Sequence, residues 1–599
     1  MARGSRGEAP AALFGVGGAE SKIFRERARR LGLSFVPHFQ LGSDAITDIN
    51  AVTCGKAALS AGGDLYIAPD EETMPEVIHR LNSIPSARPR VFVTTPTAIR
   101  AALREAGADR FLHEAVGRLE AVDPTNSARR RVTLSQGITG VVLIVAAIAA
   151  FALSPLAALT FLELAAAIFF AGVAAIRFTA AGLAPERLPI PEMPRPGEVL
   201  PIYTVLVPLR DEAHMLLQLR AGLDRLRWPR DRLDIKLVID ADDVATLRAA
   251  RALLREAPYE IVVVPPGGPR TKPMALQYAL TFARGEFVTV YDAEDRPHPY
   301  QLAEAYATFR CGPLHLACLQ APLVIDNAGK SRLASLFAVE YAALFDGLLP
   351  ALVKLKLPTP LGGTSNHFRR SALEHVGGWD PWNVTEDADL GVRLVRFGYE
   401  TATITLPTLE EAPETLGPWM RQRTRWLKGW LQTWLVHMRH PRRLWKSLGR
   451  RRFLGFNALG LGMIISAVAH PLFLATPFLL LANPQRLWSE GDLVIAALAG
   501  LSIFNLAAGY AAMWALAAKS LALRGRHSLL RTIKLLPLYW LLMGVACVKA
   551  LAQLASRPHH WDKTPHVGRP LLTRAVTGAV REAPSRLTSA EPSRVRRRA

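Results

Sequence analysis

The residues of this chain that could do chemistry are acids placed just after short apolar runs. In chain order they are Asp211 and Glu212, then Asp240, Asp242 and Asp243, then Asp292, Glu294 and Asp295. One such pair often caps a helix, but three sets at successive strand ends favour a functional site. The last set offers hard oxygen ligands that suit Mg²⁺ or Mn²⁺ bound by few carboxylates plus substrate phosphates. A metal there would neutralise a diphosphate leaving group as its bond to carbon breaks.

The segments that must position these acids alternate between short β-runs and helices. The β-runs are YTVLVPL from Tyr203, IKLVI from Ile235, EIVVV from Glu260 and FVTVYDA from Phe287, with helices up to Leu226, at 245–256 and at 273–283. This alternation predicts a largely parallel, doubly wound α/β sheet of the nucleotide-binding type. Ligands of such sheets lie beyond the carboxyl ends of the strands. Neither GxxxxGK[ST] nor GxGxxG occurs, so a glycine loop is not expected to hold phosphates.

Later motifs carry a family resemblance. They are GGTSNHFRR at 362–370, GGWD at 377–380, TEDADL from Thr385 and QRTRWLKGW from Gln422. Together with the strand-end acids, and in this order, TED and QxxRW resemble the membrane-embedded family 2 glycosyltransferases, which include cellulose, chitin and hyaluronan synthases. The resemblance implies an α/β nucleotide-sugar-binding domain of GT-A type at 201–435, inserted between transmembrane helix clusters, with a small N-terminal α/β domain.

Carried onto this chain, the resemblance implies a donor pocket and a metal site. The nucleotide-sugar donor would be bound by Asp211, Glu212, Asp240, Asp242 and Lys272. Asp292 and Glu294 would hold Mg²⁺ or Mn²⁺, with Asp295 as a further candidate. Glu294 stands where many relatives have a second Asp, which leaves the division of roles between Glu294 and Asp295 open.

The resemblance also implies the residues that act on the acceptor. Asp387 would be the general base that takes a proton from the acceptor hydroxyl, giving inversion at the anomeric carbon. Gln422 and Arg425 would hold the diphosphate, because arginine suits bidentate phosphate contacts. Trp426 would offer a face for the acceptor sugar, near Trp379 and Glu386. The alternative for Trp426 is a membrane-interface belt shared with Trp419, Trp430 and Trp434.

The function implied is an inverting, processive synthase that uses UDP-glucose or UDP-N-acetylglucosamine, exports a β-linked polysaccharide and works with accessory export proteins. A non-processive transferase acting on a lipid or lipid-linked acceptor would need the same base and metal. A non-catalytic, membrane-anchored binding protein is the third hypothesis, and the complete motif set argues against it.

Two missing features and one additional stretch distinguish this chain from a standard bacterial cellulose synthase. Neither an FxVTxK gating motif nor a recognisable C-terminal cyclic-di-GMP-binding module appears. WDKTPH from Trp561 looks instead like the WxKTxH stretch of several cellulose-synthase-like bacterial enzymes. A cytosolic loop returning to the active site would suit it.

Charge and hydropathy predict an integral membrane protein. Lys and Arg number 72 against 51 Asp and Glu, and 50% of the residues are hydrophobic, which excludes a disordered polyelectrolyte and fits a soluble enzyme poorly. Long apolar runs broken at Ser154 and Pro155 predict a transmembrane hairpin at 137–176, and uncharged runs at 454–482 and 493–518 predict two more spans. The 14-residue run at 535–548 favours an interfacial or re-entrant helix, with a fifth span as the alternative.

Basic segments indicate the orientation. They lie at 129–131, 439–453, 519–534 and in the tail at 556–599, whereas 483–492 is slightly acidic. Because positive loops stay cytoplasmic, the catalytic domain is expected in the cytosol at a bacterial inner membrane. Anionic membrane lipids are expected partners, and nucleic acid is not.

The remaining segments predict organisation rather than chemistry. Residues 1–130 read as a small cytosolic α/β unit whose element order weakly resembles the N-terminal domain of type II secretion ATPases, a regulatory or docking module. A Pro-rich linker follows at 177–200, and the C-terminal membrane region covers 454–555. The apolar run at 333–357 is expected to be a helix lying on the membrane, with a buried helix as the alternative. Four scattered cysteines predict free thiols.

Overall fold

The computed structural model describes residues 18–42, 49–130, 132–183, 190–195, 197–254, 257–482 and 493–561. The predicted external loop at 483–492, the basic tail after 561 and all of WDKTPH except its tryptophan therefore lie outside the described residues. Cys54, Cys311, Cys318 and Cys547 are all free.

The N-terminal unit is a four-stranded sheet with five helices. Its elements are α1 (Gly18–Leu31), β1 (Ser34–Phe35), α2 (Ile49–Cys54), β2 (Ala57–Leu59), β3 (Leu65–Ile67), α3 (Met74–Ser83), β4 (Val91–Val93), α4 (Pro96–Ala106) and α5 (Ala108–Val122). The strand order is β1-β4-β3-β2, with only β2 antiparallel to its neighbour. The small α/β unit predicted for residues 1–130 therefore forms in the described part of this region.

Two long apolar helices follow the N-terminal unit. They are α6 (Leu134–Leu153) and α7 (Pro155–Gly182). A capping box between Thr133 and Gln136 starts α6, and Ser154 ends it one residue before the proline that opens α7. The predicted hairpin at 137–176 therefore forms, and both helices extend beyond those bounds.

The central domain is built on a seven-stranded mixed sheet. Its elements are β5 (Tyr203–Leu209), α8 (Leu216–Leu223), β6 (Leu233–Asp240), α9 (Val244–Leu253), β7 (Tyr259–Val264), α10 (Lys272–Leu280), β8 (Phe287–Val290), β9 (Arg296–Pro297), α11 (Gln301–Cys311), β10 (Leu316–Gln320), β11 (Leu323–Ile325), α12 (Arg332–Tyr341), α13 (Leu349–Lys354), β12 (Asn366–Arg369), α14 (Arg370–His375), α15 (Glu386–Arg396), β13 (Glu400–Thr403), β14 (Thr408–Glu410) and α16 (Leu416–His437).

The order of the large sheet is β13-β10-β12-β8-β5-β6-β7. Only β12 runs antiparallel to its neighbours, β8 and β10, so the expected largely parallel α/β sheet is confirmed with one reversed strand. The strands β5, β6 and β8 end where the predicted acids begin, which brings these acids to one edge. A small sheet, β11-β14-β9, lies beside it.

The C-terminal region consists of long apolar helices. They are α17 (Pro441–Ala482), broken at Gly449, then α18 (Leu493–Leu523) and α19 (Leu536–Ser556). A 3₁₀ segment at His527–Leu535 leads into α19. At 21 residues α19 is long enough to span a bilayer, so the length argument for an interfacial helix at 535–548 is wrong: the helix continues past Lys549.

Within the described ranges, six helices are long and apolar enough to cross a membrane: Leu134–Leu153, Pro155–Gly182, Arg332–Lys354, Pro441–Ala475, Ala496–Leu523 and His527–Ser556. The segment Arg332–Lys354 differs from the other five, because 72% of its apolar window is buried inside the protein. It contains α12, a π-helical turn at Ala342–Leu348 and α13. This burial favours the alternative of a buried helix over one lying on the membrane surface.

Candidate active site

A cavity of about 390 Å³ opens at the carboxyl ends of β5, β6 and β8 and extends to the long helices α7, α17 and α19. Ten residues that the sequence marked as functional line it: Glu212, Asp240, Lys272, Asp292, Glu294, Glu386, Asp387, Gln422, Arg425 and Trp426. They come from strand ends, from the start of α10, from the start of α15 and from α16. Tertiary folding thus gathers residues more than 200 positions apart along the chain.

Lys272 is the cation at the centre of the site. It is the first residue of α10, whose N-cap Thr271 accepts a hydrogen bond from Met274 N–H. Its Nζ donates to Asp292 Oδ1 and to the Gly363 carbonyl, the latter at 2.8 Å. Burial alone would lower the pKa of Lys272, but Asp292 and Glu386 outweigh burial and raise it. Lys272 is therefore a fixed positive charge.

The acids after β8 divide into two that face the cavity and one that shapes the turn. Asp292 and Glu294 line the cavity and Asp295 does not. Asp295 Oδ2 accepts from Asp292 N–H at 2.7 Å and from the Thr364 hydroxyl. Burial, followed by repulsion from Asp292, raises the pKa of both Glu294 and Asp295 well above the usual range. These carboxylates lack enough positive charge around them.

The donor set has the chemistry of a divalent-cation site. Asp295 Oδ1 and Glu410 Oε2 are buried and have no hydrogen-bond partner within the described residues. In the same part of the chain, no three His, Cys, Asp or Glu side chains converge as a preformed metal cage. A site that binds a cation through two carboxylates and substrate phosphates needs no such cage. Asp292 and Glu294 therefore fit a cation that arrives with its donor.

Glu410 is a site residue that the sequence reasoning missed. It ends β14, lines the cavity and is buried. Burial, followed by repulsion from Asp295 and Glu294, raises its pKa well above the usual range. The sequence signal for Glu410 was the acid pair Glu410–Glu411 at the end of a β-strand. That strand, β14, is only three residues long, too short to be recognised from its pattern.

Asp387 lies on the first turn of α15, beside Glu386. Burial raises the pKa of Asp387 to about 6, against the opposing effects of the Ala388 N–H and Lys272. Burial and repulsion from Asp387 raise the pKa of Glu386 to about 8. A side chain on Gly363 would place its Cβ 3.3 Å from Asp387 Oδ2 and 3.6 Å from Lys272 Nζ. Asp387, Lys272 and Asp292 therefore share one small space.

The QxxRW residues lie on one helix, α16. Gln422 lines the cavity, and its Oε1 has no hydrogen-bond partner among the described residues. The Arg425 guanidinium lies 5.1 Å from the centre of the Trp561 ring. Trp561, on the chain after α19, thus returns to the site, as expected for the stretch that it begins.

Trp426 packs against two side chains that the sequence analysis did not single out, Tyr341 and Arg423. Its ring stacks on Tyr341 with centroids 6.3 Å apart, and Arg423 lies 4.7 Å from it. Arg423 forms a bidentate pair with Glu340 at 2.9 and 2.5 Å and donates to Tyr539 at 2.8 Å. Trp426 is therefore a fixed platform in the cavity wall.

The tryptophans that would form a membrane belt with Trp426 lie in different environments. Trp419 is fully buried and donates to Tyr539 at 3.2 Å. Trp430 lines the cavity, and Trp434 donates to Asn457 at 3.0 Å. A surface belt therefore does not describe this group.

Four predicted site residues do not line the cavity: Asp211, Asp242, Asp295 and Trp379. Asp242 pairs at 3.1 Å with Arg270, which itself lines the cavity. Trp379 is 2% exposed, and its ring packs edge-on against Phe368. The structure therefore does not bring Trp379 to the acceptor. Asp240 does line the cavity, but Arg210 pairs with its carboxylate.

Beyond Trp426 the cavity continues between the long helices. Its wall there includes Phe170, Val173, Leu459, Met463 and Trp540. Arg177 is the charged residue of this wall on α7, and its guanidinium lies 5.5 Å from the Trp540 ring. The cavity thus joins an acidic end at the sheet to an apolar, aromatic end among the apolar helices.

Known proteins match the same region. The profile of the glycosyl transferase family group 2 matches residues 287–551. A probable glycosyltransferase of Bacillus subtilis, YdaM, is 28% identical over 40% of this chain and 58% of its own length. The catalytic subunit of cellulose synthase 1 of Komagataeibacter xylinus, described as UDP-forming, is 26% identical over 53% of this chain and 42% of its own. The chain thus spans about half the length of the curated relatives it matches.

Solved structures give a weaker likeness. A mannosyltransferase of Pyrobaculum calidifontis, in complex with GDP-Man and Mn²⁺, is 20% identical and covers 58% of this chain and 99% of its own, with a TM-score of 0.37. Residues 1–349 of TarS from S. aureus are 13% identical, and the match covers 54% of this chain and 91% of the TarS chain, with a TM-score of 0.30. At these scores, the fold assignment rests on the sheet topology and the family match.

Proposed function

We propose that the chain is a family 2 glycosyltransferase, an inverting, processive membrane enzyme that polymerises a sugar from a nucleotide-sugar donor. UDP-glucose and UDP-N-acetylglucosamine are the proposed donors, and a β-linked polysaccharide is the product. The observation that carries the proposal is the cavity, which places the acids, the candidate base Asp387 and the platform Trp426 on one continuous path towards the long helices.

On the donor side, Asp240, Glu212 and Lys272 would line the nucleotide pocket. Lys272 is held over the Asp292 carboxylate and the Gly363 carbonyl, close to where a diphosphate would reach the strand-end acids. Gln422 and Arg425 would hold the diphosphate from the opposite wall. Asp292 and Glu294 would hold Mg²⁺ or Mn²⁺. When bound, that cation would supply positive charge to the departing diphosphate.

The transfer step would run between Asp387 and the bound donor. The Asp387 carboxylate takes the proton of an acceptor hydroxyl, the hydroxyl oxygen bonds to the anomeric carbon, and the bond from that carbon to the nucleoside diphosphate breaks. One displacement of this kind inverts the anomeric centre. A base whose pKa is about 6 is mostly ionised at neutral pH and is basic enough to accept the proton.

On the acceptor side, Trp426 would stack the terminal sugar beside the base. The aromatic residues Tyr341, Trp430 and Trp540 also line the cavity, and aromatic faces suit the apolar faces of sugar rings. A chain extended at Asp387 would then advance along these rings and between the long helices. This continuity favours processive addition and export. It also fits a catalytic domain on the cytosolic side of a bacterial inner membrane, with accessory export proteins beyond it.

A second candidate is favoured by the aliphatic part of the same wall. Val173, Leu459 and Met463 border the cavity among the long helices, and such a surface suits an alkyl chain as well as a sugar ring. The enzyme would then add one sugar to a lipid or lipid-linked acceptor, with the same base and metal residues.

Product length decides between the two. Purified protein in lipid nanodiscs is incubated with radiolabelled UDP-glucose or UDP-N-acetylglucosamine and Mg²⁺ or Mn²⁺, with and without lipid extract. Long labelled polymer that a β-specific glycosidase digests supports the processive synthase. A product that stops after one addition and partitions into organic solvent contradicts it and supports the lipid acceptor.

A further inference from the structure

In the described part of the N-terminal unit no three His, Cys, Asp or Glu side chains converge on a possible metal site, yet its last residues lie against the loop that leads into the candidate base. Residues 123–130, here called the strap, join α5 to the first long helix. Residues 377–385, here called the base loop, lead into α15 and Asp387. Ser127 and Ala128 of the strap are buried against Asp380 of the base loop.

The Asp380 carboxylate fastens the two segments together. Its Oδ2 accepts from the Ala128 N–H at 2.5 Å, and its Oδ1 accepts from the Ser127 hydroxyl at 3.4 Å. The same Oδ1 accepts from Trp382 N–H at 3.1 Å, within the base loop itself. Asp380 is completely buried. One carboxylate therefore satisfies donors on both segments.

Other contacts hold the strap firmly in this position. Arg439 donates to the carbonyls of Thr125 and Ser127, each at 2.8 Å. Arg396, at the end of α15, donates to the Asn126 side chain at 2.5 Å. Asp387 lies in the first turn of α15, and Arg396 is the last residue of that helix. The strap therefore contacts the chain before Asp387, at Asp380, and after it, at Arg396.

The base loop has matching contacts with the donor side of the site. Thr271, which caps the helix that Lys272 begins, donates to the Pro381 carbonyl at 2.7 Å. Gln277 of α10 accepts from Trp379 N–H at 2.8 Å and donates to the Gly377 carbonyl at 2.9 Å. Gly377 has a φ of 88°, and a Cβ there would lie 2.9 Å from Leu119 of α5. The base loop is thus enclosed by α10 and the N-terminal unit.

We propose that Asp380 is a positioning residue: it locks the base loop to the strap, and this local contact sets where the Asp387 carboxylate lies. This inference rests on the proposed function, because it takes Asp387 as the base. It assigns residues 1–130 a part in the reaction that their own sequence does not show. The expected consequence is a loss of turnover without a loss of donor binding.

The test uses the full-length protein in nanodiscs. Asp380→Asn keeps the size of the side chain but turns an N–H₂ group towards one of its three donors. We expect kcat to fall about ten- to hundredfold while the KM for the donor changes less than about twofold, because a base moved by an ångström loses rate rather than affinity. Hydrogen exchange of peptides covering 377–388 should become faster in the same variant.

Glu260→Gln is the matched control. It weakens the buried ion pairs of Glu260 with Arg100, Arg104 and Lys236. None of these residues belongs to the strap or to the base loop, so the contact at Asp380 stays in place. We expect a lower unfolding midpoint, normal kcat and normal exchange at 377–388. If Asp380→Asn does not accumulate, Arg439→Gln releases the strap with Asp380 intact and should give the same fall in kcat.

Three results would overturn the inference. The first is a wild-type kcat in Asp380→Asn. The second is a wild-type kcat in Arg439→Gln, if that variant is used because Asp380→Asn does not accumulate. The third is a fall of kcat in Glu260→Gln as large as that in Asp380→Asn. Wild-type protein that transfers no sugar from any donor would overturn the proposed function instead. In that case faster exchange at 377–388 in Asp380→Asn, with Glu260→Gln unchanged, would still support the positioning contact.

Discussion

Two clusters of buried charge in this protein are composed in opposite ways. The first, the interface cluster, joins the N-terminal unit to β6 and β7 through Asp234, Lys236, Glu260, Arg100, Arg104 and Arg284. The second, the site cluster, contains Asp292, Glu294, Asp295, Glu386, Asp387 and Glu410 around Lys272. Four cations meet two acids in the first, whereas six acids meet one central lysine in the second.

The pKa values show the difference. Burial alone would raise the pKa of Asp234 and Glu260, but Lys236 and the arginines outweigh it. They hold the pKa of Asp234 at about 2 and that of Glu260 well below its usual range. At Glu294 and Glu410 burial and acid–acid repulsion act together and raise the pKa. The interface cluster thus supplies its own counter-charge, whereas the site cluster has an excess of acids, the composition that a cation-binding site requires.

The largest expected effect is on the base. Asp387→Asn should lower kcat by about a thousandfold or more, within the range that a general base contributes, and should not lower the unfolding midpoint, because it removes a buried charge from an acid-rich cluster. Initial rates and a thermal melt on the same preparation measure both. Full turnover in this variant would remove Asp387 from the role of base.

Metal removal should have the next largest effect. Chelation with EDTA should abolish transfer, and Mn²⁺ or Mg²⁺ should restore it, because the six acids of the site cluster far outnumber its one central lysine. Glu294→Gln should raise the metal concentration needed for half-maximal rate. The control is Glu260→Gln, whose metal requirement should match the wild type. Undiminished activity in EDTA would contradict a cation site in the site cluster.

Stability should respond in opposite directions in the two clusters. Glu260→Gln should lower the free energy of unfolding by about 3 kcal/mol, because it leaves Arg104 and Lys236 buried without their full counter-charge. Glu410→Gln, a matched change in the site cluster, should leave stability unchanged or raise it. Thermal melts of the two variants in one nanodisc preparation compare them directly. A destabilised Glu410→Gln would show that the site cluster is satisfied without a ligand.

The smallest effect is that of pH on the wild type. Because the pKa of Asp387 is raised to about 6, the ionised base predominates above that pH, and kcat should fall as the pH is lowered through it. The interface cluster should show no transition there, since Asp234, with a pKa of about 2, stays ionised. A pH–rate profile with melts at each pH separates the two. If kcat falls at low pH only where the melts show that the protein unfolds, the fall does not report titration of Asp387.

Much of the fold was predictable because it depends on local patterns. The β-runs from Tyr203 and Phe287 form β5 and β8, and the runs ending at Asp240 and Val264 form β6 and β7. Short β-branched runs separated by helical periodicity determine such elements with little help from distant residues. The reversed strand β12 was not predicted, because its four residues carry no such pattern and it pairs with strands far away in sequence.

The length of α19 was misjudged for a related reason. Lys549 interrupts the apolar run in the sequence, yet the helix continues to Ser556. A charged residue ends a hydropathy window but does not end a helix, since backbone hydrogen bonds continue through it. Burial of α12 likewise depends on what packs on it, and its composition alone suited a surface position equally well.

The sequence by itself determined the chemistry of this protein. The order of strand-end acids, TED and QxxRW carries the resemblance to family 2 glycosyltransferases, because reacting groups need particular side chains and those are written in the chain. Only the tertiary structure decided that Asp295 shapes a turn while Glu294 faces the cavity, that Glu410 joins the acids, and that Trp379 is buried elsewhere. It also brought the strap to Asp380. Such contacts join residues hundreds of positions apart, and packing alone decides which of them meet.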